Sequence, residues 1–533
     1  MSDYKKRKGQ HILLAVVLIG SFVWSLSILP PHDELIHSGG LVLIKKLLLS
    51  VFEMEITKES LSTCLEALIQ TFVYASASMG LSIIIGLIFG LLSSKILFSG
   101  RIGNVVRIIF RVLIGLLRGV HELIWAWVFV AAIGLTPLAG VFALAIPYGG
   151  LLAINYCNNF NSTPKEPLEA LRRSGANRTQ TILYGVLPQA FPEMVSFTMT
   201  NYECCLRSST IMSFVGLGGI GYQIQIALKD MKFNLVWLNV IALILLVIVI
   251  DVWGIALRKR IGFVQMSMIL FVVIVLGSWA YLIIKNDDLF EVFNERNLGF
   301  LDNFIQKMFG KGAKQIAYTD KSRWIEVLKL TVDTIAMSFL ANGLAMIGTL
   351  ITVVPAAANY ADGRLTGRKS WYGKIIFAII RFMYIITRSV PELVWGMLFI
   401  FFIQAGVLPG ALALAVHNFG VLGRLCAEVV EDVNVKPLQS LARCGASNSQ
   451  ILMYGVFPMC FKKFLYYMMF RFEVIVRSTI VVGAVGAGGL GLYFKLRMSA
   501  MDYTGVTLVI MCYLIVVYLT DIVSGKLQKM WNC

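Results

Sequence analysis

Eight charged side chains fall inside stretches that are otherwise apolar. They form four couples at i,i+4 spacing: Arg118 with Glu122, Glu203 with Arg207, Arg388 with Glu392, and Glu473 with Arg477. That spacing puts both members on one helix face, about one turn apart. A charge at mid-bilayer costs at least about 2.5–3.5 kcal/mol, so eight of them call for a use. Either the couples neutralise one another and lock helices together, or their guanidinium groups offer a passing oxyanion a fork of donors. Ser208 and Ser478 directly follow Arg207 and Arg477 and join this candidate path. His121 and His417 do not correspond, with Pro391 and Pro147 opposite them, which argues against a symmetric proton relay.

Such residues need spans to carry them, and the composition supplies these. The 533 residues are 58% hydrophobic and 14% charged, with mean hydropathy +0.77, whereas soluble domains run near a quarter charged. The net charge of +17 sits in short clusters beside apolar segments, a positive-inside pattern that excludes a nucleic-acid surface. Nine cysteines and five histidines are scattered without a CxxC pair, so neither a disulfide frame nor a metal site is indicated. The apolar run after Lys5, Lys6, Arg7 and Lys8 lacks a small-residue cleavage site and reads as an uncleaved anchor.

A crossing takes roughly 20 apolar residues. Six spans are expected near Ile12–Leu29, Ile69–Ser94, Val105–Ala132, Pro137–Cys157, Phe191–Met212 and Leu235–Leu257. Six more are expected near Phe263–Ile284, Leu328–Val354, Ile375–Ile403, Ala411–Val429, Phe461–Val482 and Tyr503–Asp521. Basic residues at Arg101, Arg172, Arg258, Arg364, Arg368, Lys369 and Lys526 put both termini in the cytoplasm, with the 285–324 segment (Asp287, Asp288, Glu291) outside.

The chain repeats itself at an offset of 270. "RGVHELIW" from Arg118 matches "RSVPELVW" from Arg388, and "VGLGGIG" from Val215 matches "VGAGGLG" from Val485; about one position in three is identical across Arg118–Gly221. An even number of spans per copy makes the copies parallel, related by a pseudo-twofold axis along the membrane normal. The expected fold class is an all-α polytopic membrane protein of about twelve transmembrane helices in two parallel six-helix repeats, with domains 1–260 and 261–533.

Between the fourth and fifth spans of each copy lies a polar stretch, "EALRRSGANRTQTILYGVLP" from Glu169 and "QSLARCGASNSQILMYGVFP" from Gln439. Prolines that favour a helix start, an acid in the first turn, a glycine break and a closing proline describe a helix–turn–helix knob shaped for a partner's groove. The stretches 164–188 and 434–458 resemble the EAA loop of ABC importer permeases, through Glu169, Ala170, Gly175, Leu187 and Pro188 and, further from the pattern, Gln439, Gly445 and Pro458. They depart from it at Leu171, Gly185 and Phe457. The "HELIW" and "VRSTIVVGAVGAGGLG" blocks resemble phosphonate-transporter permeases of the PhnE type over most of both copies, which implies a type I ABC importer transmembrane fold.

The resemblance implies a permease subunit in the bacterial cytoplasmic (inner) membrane. It would be served by a cytoplasmic ABC ATPase dimer that binds ATP and Mg, and by an extracytoplasmic substrate-binding protein; membrane lipid is the remaining partner. Its implied cargo is phosphonate or a related phosphorus oxyanion. No GxxxxGK[ST] occurs, so the chain is expected to be no enzyme and to bind no cofactor itself. Gly216, Gly218 and Gly219, repeated as Gly486, Gly488 and Gly489, formally fit a dinucleotide loop. Following a membrane span, they read instead as a turn near the outer half of the pore, where backbone approaches backbone or substrate. The competing reading is a proton-coupled secondary transporter of a small anion.

Overall fold

The computed structural model describes residues 16–29, 39–97, 100–259, 264–286, 289, 294–313, 315–365 and 371–531. Lys5, Lys6, Arg7, Lys8, Ile12, Arg260, Phe263, Asp287, Asp288, Glu291, Arg368 and Lys369 lie outside the described residues. Among the described residues the elements are helices; seven of these are long and apolar enough to cross a membrane, and three bent pairs raise the number to ten. The two expected spans not among these ten are the shorter helix Val16–Leu26 and the pair Trp371–Ser389 and Glu392–Ile400.

Two compact units form, residues 49–306 and residues 1–48 with 307–533, here the N unit and the C unit. The division does not follow the expected boundary at 260/261, because each copy's first span packs on the other copy's core. In the N unit, helix Val264–Lys285 sets Val275 against Gly80, Phe271 against Tyr202 and Ser267 under the indole N–H of Trp253. In the C unit, Phe22 lies on Gly343, and Leu18 joins Leu465 and Met469. A span presents the same apolar surface to either core, so nothing in its own sequence records this exchange.

The N-unit core is a close pairing of Lys58–Ser93 with Pro137–Ser162. Ile85 meets Gly149, Leu152 meets Gly86, and Tyr156 meets Gly90, contacts that advance together and make the two helices parallel. Small residues at such crossings let helices approach where hydrocarbon offers no driving force for association. The buried hydroxyls of Ser76, Ser78 and Ser82 donate to carbonyls one turn back, so no water is needed to satisfy them. The C unit repeats the pairing with Lys321–Thr352 and Val407–Glu431, where Phe419 lies on Gly348.

Candidate functional site

The polar segments fold alike in both units. Helix Lys165–Arg173 ends at Ser174, and Gly175 follows at φ +87°; helix Val435–Arg443 ends at Cys444, and Gly445 follows at φ +86°. Only glycine takes this left-handed backbone at no steric cost. Asn177 and Ser447 then start a second helical piece, each in a reciprocal capping box with a glutamine, Gln180 or Gln450. Glu169 and Arg173 form an exposed i,i+4 pair 3.8 Å apart, and Ala170 shares their helix. Gln439 occupies the acid's place in the C unit.

The two departures from the expected pattern explain each other. A Cβ on Gly185 would stand 2.7 Å from Leu168 and 2.9 Å from Leu171, and one on Gly455 2.4 Å from Leu438. Leucine on the first helical piece fills the space that glycine opens on the second. Pro188 and Pro458 do not close their segments, as the sequence suggested. They sit in the first turn of Leu187–Met212 and Phe457–Val482, directly after π-helical turns Thr181–Val186 and Leu452–Val456. The ladder is already displaced there, so a missing N–H costs little.

The segments are braced differently. In the C unit, Glu431 accepts from Arg381 and from the Ala358 N–H, while Arg381 also donates to the Ala356 carbonyl. In the N unit, the same place holds Asn161, which accepts from the Lys95 N–H at 2.9 Å.

Among the intramembrane couples, Glu203 with Arg207 (3.6 Å) and Glu473 with Arg477 are i,i+4 ion pairs on continuous helices. The other two couples are not one turn apart on a helix. Gly100–Gly119 stops after Arg118, and Glu122–Ile133 restarts at 88° to it with His121 as N-cap. Likewise Arg388 ends Trp371–Ser389, and Glu392 opens the next helix behind an N-cap proline, Pro391. That proline was the legible signal, since the residue before proline resists helical backbone.

Side chains the sequence left unassigned, Tyr148, Asn418 and Arg471, enter here beside ones it had assigned. The Tyr148 hydroxyl donates to Ser208 (2.8 Å), whose hydroxyl donates to Glu122 (2.6 Å). In the C unit, Asn418 stands in Tyr148's place and accepts from Arg471 at 2.8 Å, where the N unit has Asn201; Ser478 is buried. His121 lies 3.3 Å from Glu122 and His417 lies 3.7 Å from Glu392. The histidines do not align in sequence, yet each unit sets one imidazole against the equivalent carboxylate.

The glycine blocks join helices at the opposite end of each unit from the polar segment. Gly216, Gly218 and Gly219 have φ of +95°, +78° and +91°, and Gly486, Gly488 and Gly489 have +120°, +82° and +64°. In the N unit, Thr71 accepts the Ile220 N–H, Gln70 accepts the Gly219 N–H, and Tyr74 donates to the Leu217 carbonyl. In the C unit, Thr334 accepts the Leu490 N–H. No strand precedes either block among the described residues, so the dinucleotide reading falls.

The family profile described as "Binding-protein-dependent transport system inner membrane component" matches residues 82–285 and again 360–530. "Phosphate-import permease protein PhnE" of Mycolicibacterium smegmatis is 25% identical over 442 residues, 80% of this chain and 78% of its own length. "Phosphite transport system permease protein PtxC" of Stutzerimonas stutzeri is 34% identical over 206 residues, 39% of this chain and 70% of its own. A solved structure of the MetNI methionine ABC transporter aligns with 40% of this chain and 99% of its own, at 16% identity and TM-score 0.35.

Proposed function

This chain belongs to the family of binding-protein-dependent transport system inner membrane components, with the family domain present twice, and we propose that it is the transmembrane subunit of an ATP-driven importer for a phosphorus oxyanion. The observation that carries the reading is the pair of matched knobs, each with its left-handed glycine and leucine-on-glycine seat. Two such knobs suit a pair of identical ATPase subunits. The ATP and Mg belong to those subunits, because this chain has no phosphate-binding loop.

In this account the chain lies in a bacterial cytoplasmic membrane with both termini inside. Closure of the ATPases draws the two knobs together and rocks the units in the type I manner, and an extracytoplasmic binding protein delivers cargo at the glycine-block end. Arg118, Arg207, Arg388 and Arg477 supply forked donors to the anion. Glu203 and Glu473 hold Arg207 and Arg477 in the interim, Glu122 and Glu392 stand at the helix breaks beside His121 and His417, and Ser208 and Ser478 add hydroxyls. The names of the relatives, a phosphate-import and a phosphite permease, support phosphate or phosphite within that cargo class, and the sequence resemblance adds phosphonate.

The paired His–Glu contacts favour a second reading, a proton-coupled carrier. Uptake of labelled phosphate, phosphite and methylphosphonate into cells expressing the whole system separates the two. An importer keeps working under an uncoupler while ATP is held and stops when ATP is depleted; a proton-coupled carrier does the reverse.

A further inference from the structure

The two units are built differently at the end opposite the knobs. The first core helices align at an offset of 263, as their N-caps Thr57 and Asp320 show, while the helices after the glycine blocks align at 270. At this end the C unit holds an ion cluster. Arg323 donates to Asp502 at 2.6 Å, and Arg497 lies 3.6 Å from Asp502 and 3.7 Å from Glu326. Arg497 also stacks on Tyr493 at 4.4 Å, and the Tyr493 hydroxyl donates to Glu326 at 2.9 Å.

The N-unit counterparts of Arg323, Glu326, Tyr493, Arg497 and Asp502 are Ser60, Thr63, Gln223, Ala227 and Lys232. All five line a pocket of about 320 Å³. Its other polar walls are Glu55, Thr57, Glu59, Asp230 and Asn239, so three carboxylates face the single cation Lys232 among the lining residues. Asn239 is 6% exposed, and its side-chain carbonyl has no hydrogen-bond partner among the described residues. A buried acceptor left unmatched is destabilising unless something donates to it. Where the C unit carries two arginines, the N unit has acids, a free acceptor and room.

We propose that this pocket receives an arginine side chain from the extracytoplasmic partner, which supplies to the N unit the guanidinium that the C unit provides for itself. The proposal rests on the importer reading for its orientation and its partner. A guanidinium matches the wall: its flat fork can donate to Asn239 and to the carboxylates together, which a compact ammonium does less well. The second copy, already filled, offers no such seat, so the partner would dock in one orientation only.

The test places a thiol in the pocket. Thr63→Cys is labelled from outside with a cationic or an anionic methanethiosulfonate, the parent chain with its buried Cys64 setting the background. Labelling should be about tenfold faster with the cation, and ethylguanidinium should slow it several-fold where tetramethylammonium does not. Asp230→Asn with Glu59→Gln should remove both effects. Labelling indifferent to ethylguanidinium, or unchanged by neutralisation, overturns the proposal.

A second arm fills the pocket in cis with Ser60→Arg and Ala227→Arg. Binding of the extracytoplasmic subunit should fall at least tenfold while the ATPase stays bound; undiminished binding overturns the proposal. Failure of the unaltered chain to import any phosphorus oxyanion would instead sink the cargo class, and import that stops with an uncoupler while ATP is held would sink the importer reading; the labelling result stands apart from both.

Discussion

The two copies agree at the knob end and disagree at the far end. The knobs share glycine geometry, capping boxes and the leucine seat although Glu169 has become Gln439 and Ser174 has become Cys444. At the far end the glycine blocks still match, but a cluster of two arginines, a tyrosine and two acids in one copy stands where the other has a pocket. What persists is what the backbone demands; what diverges is side-chain chemistry, in the bracing of the knobs (Glu431 with Arg381 against Asn161) and most of all at the far end. A duplicated unit meeting two identical subunits on one side and a single asymmetric one on the other would drift in this way.

The comparison breaks most readily where both copies are tightest. A Cβ on Gly221 would lie 2.3 Å from the Thr210 carbonyl oxygen, and one on Gly491 would lie 2.3 Å from that of Ile480. Gly221→Ala and Gly491→Ala should each cost about 3 kcal/mol or more, read as lost thermal stability in detergent. A large loss in one copy alone would deny their equivalence.

Next in size come Gly185→Val and Gly455→Val, which overpack the leucine seats by about 1–3 kcal/mol locally. Each should lower uptake and ATPase retention while the spans still insert; unchanged retention would mean the seat does not hold the knob.

The far end should respond unequally. Asp502→Ala opens a partly exposed ion cluster and should cost about 1–2 kcal/mol, whereas Lys232→Ala should stay within about 0.5 kcal/mol. Burial works to raise the Asp502 carboxyl, but the Gly505 N–H, Arg323 and Thr504 outweigh it and hold it below its ordinary value. A carboxyl depressed in the fold lends stability above its unfolded value and loses it as pH falls through the folded one. The Asp502-dependent difference in melting temperature should therefore be full at neutral pH and fade only in strong acid. At the caps, Thr57→Ala and Asp320→Ala should each cost about 1 kcal/mol, equally in both units.

Local features were legible in the sequence. Gly175, Gly445 and the glycine blocks follow from short-range backbone rules that a sequence writes openly. The helix breaks beside Glu122 and Glu392 were half legible: Pro391 marks one, but His121 in the other copy gives no comparable sign. Tyr148, Asn418 and Arg471 were missed because hydrogen bonds between helices depend on packing that periodicity does not encode. The compensation between Leu171 and Gly185 looked like two flaws until their contact was seen.

The most direct measurement is ATP-dependent uptake of labelled phosphite with Gly175→Pro alone, Gly445→Pro alone and both together, insertion and ATPase binding being followed in parallel. Two matched knobs working one ATPase dimer predict that either single substitution stops uptake as completely as the pair. Uptake that survives the loss of one knob, or of both, would contradict that account.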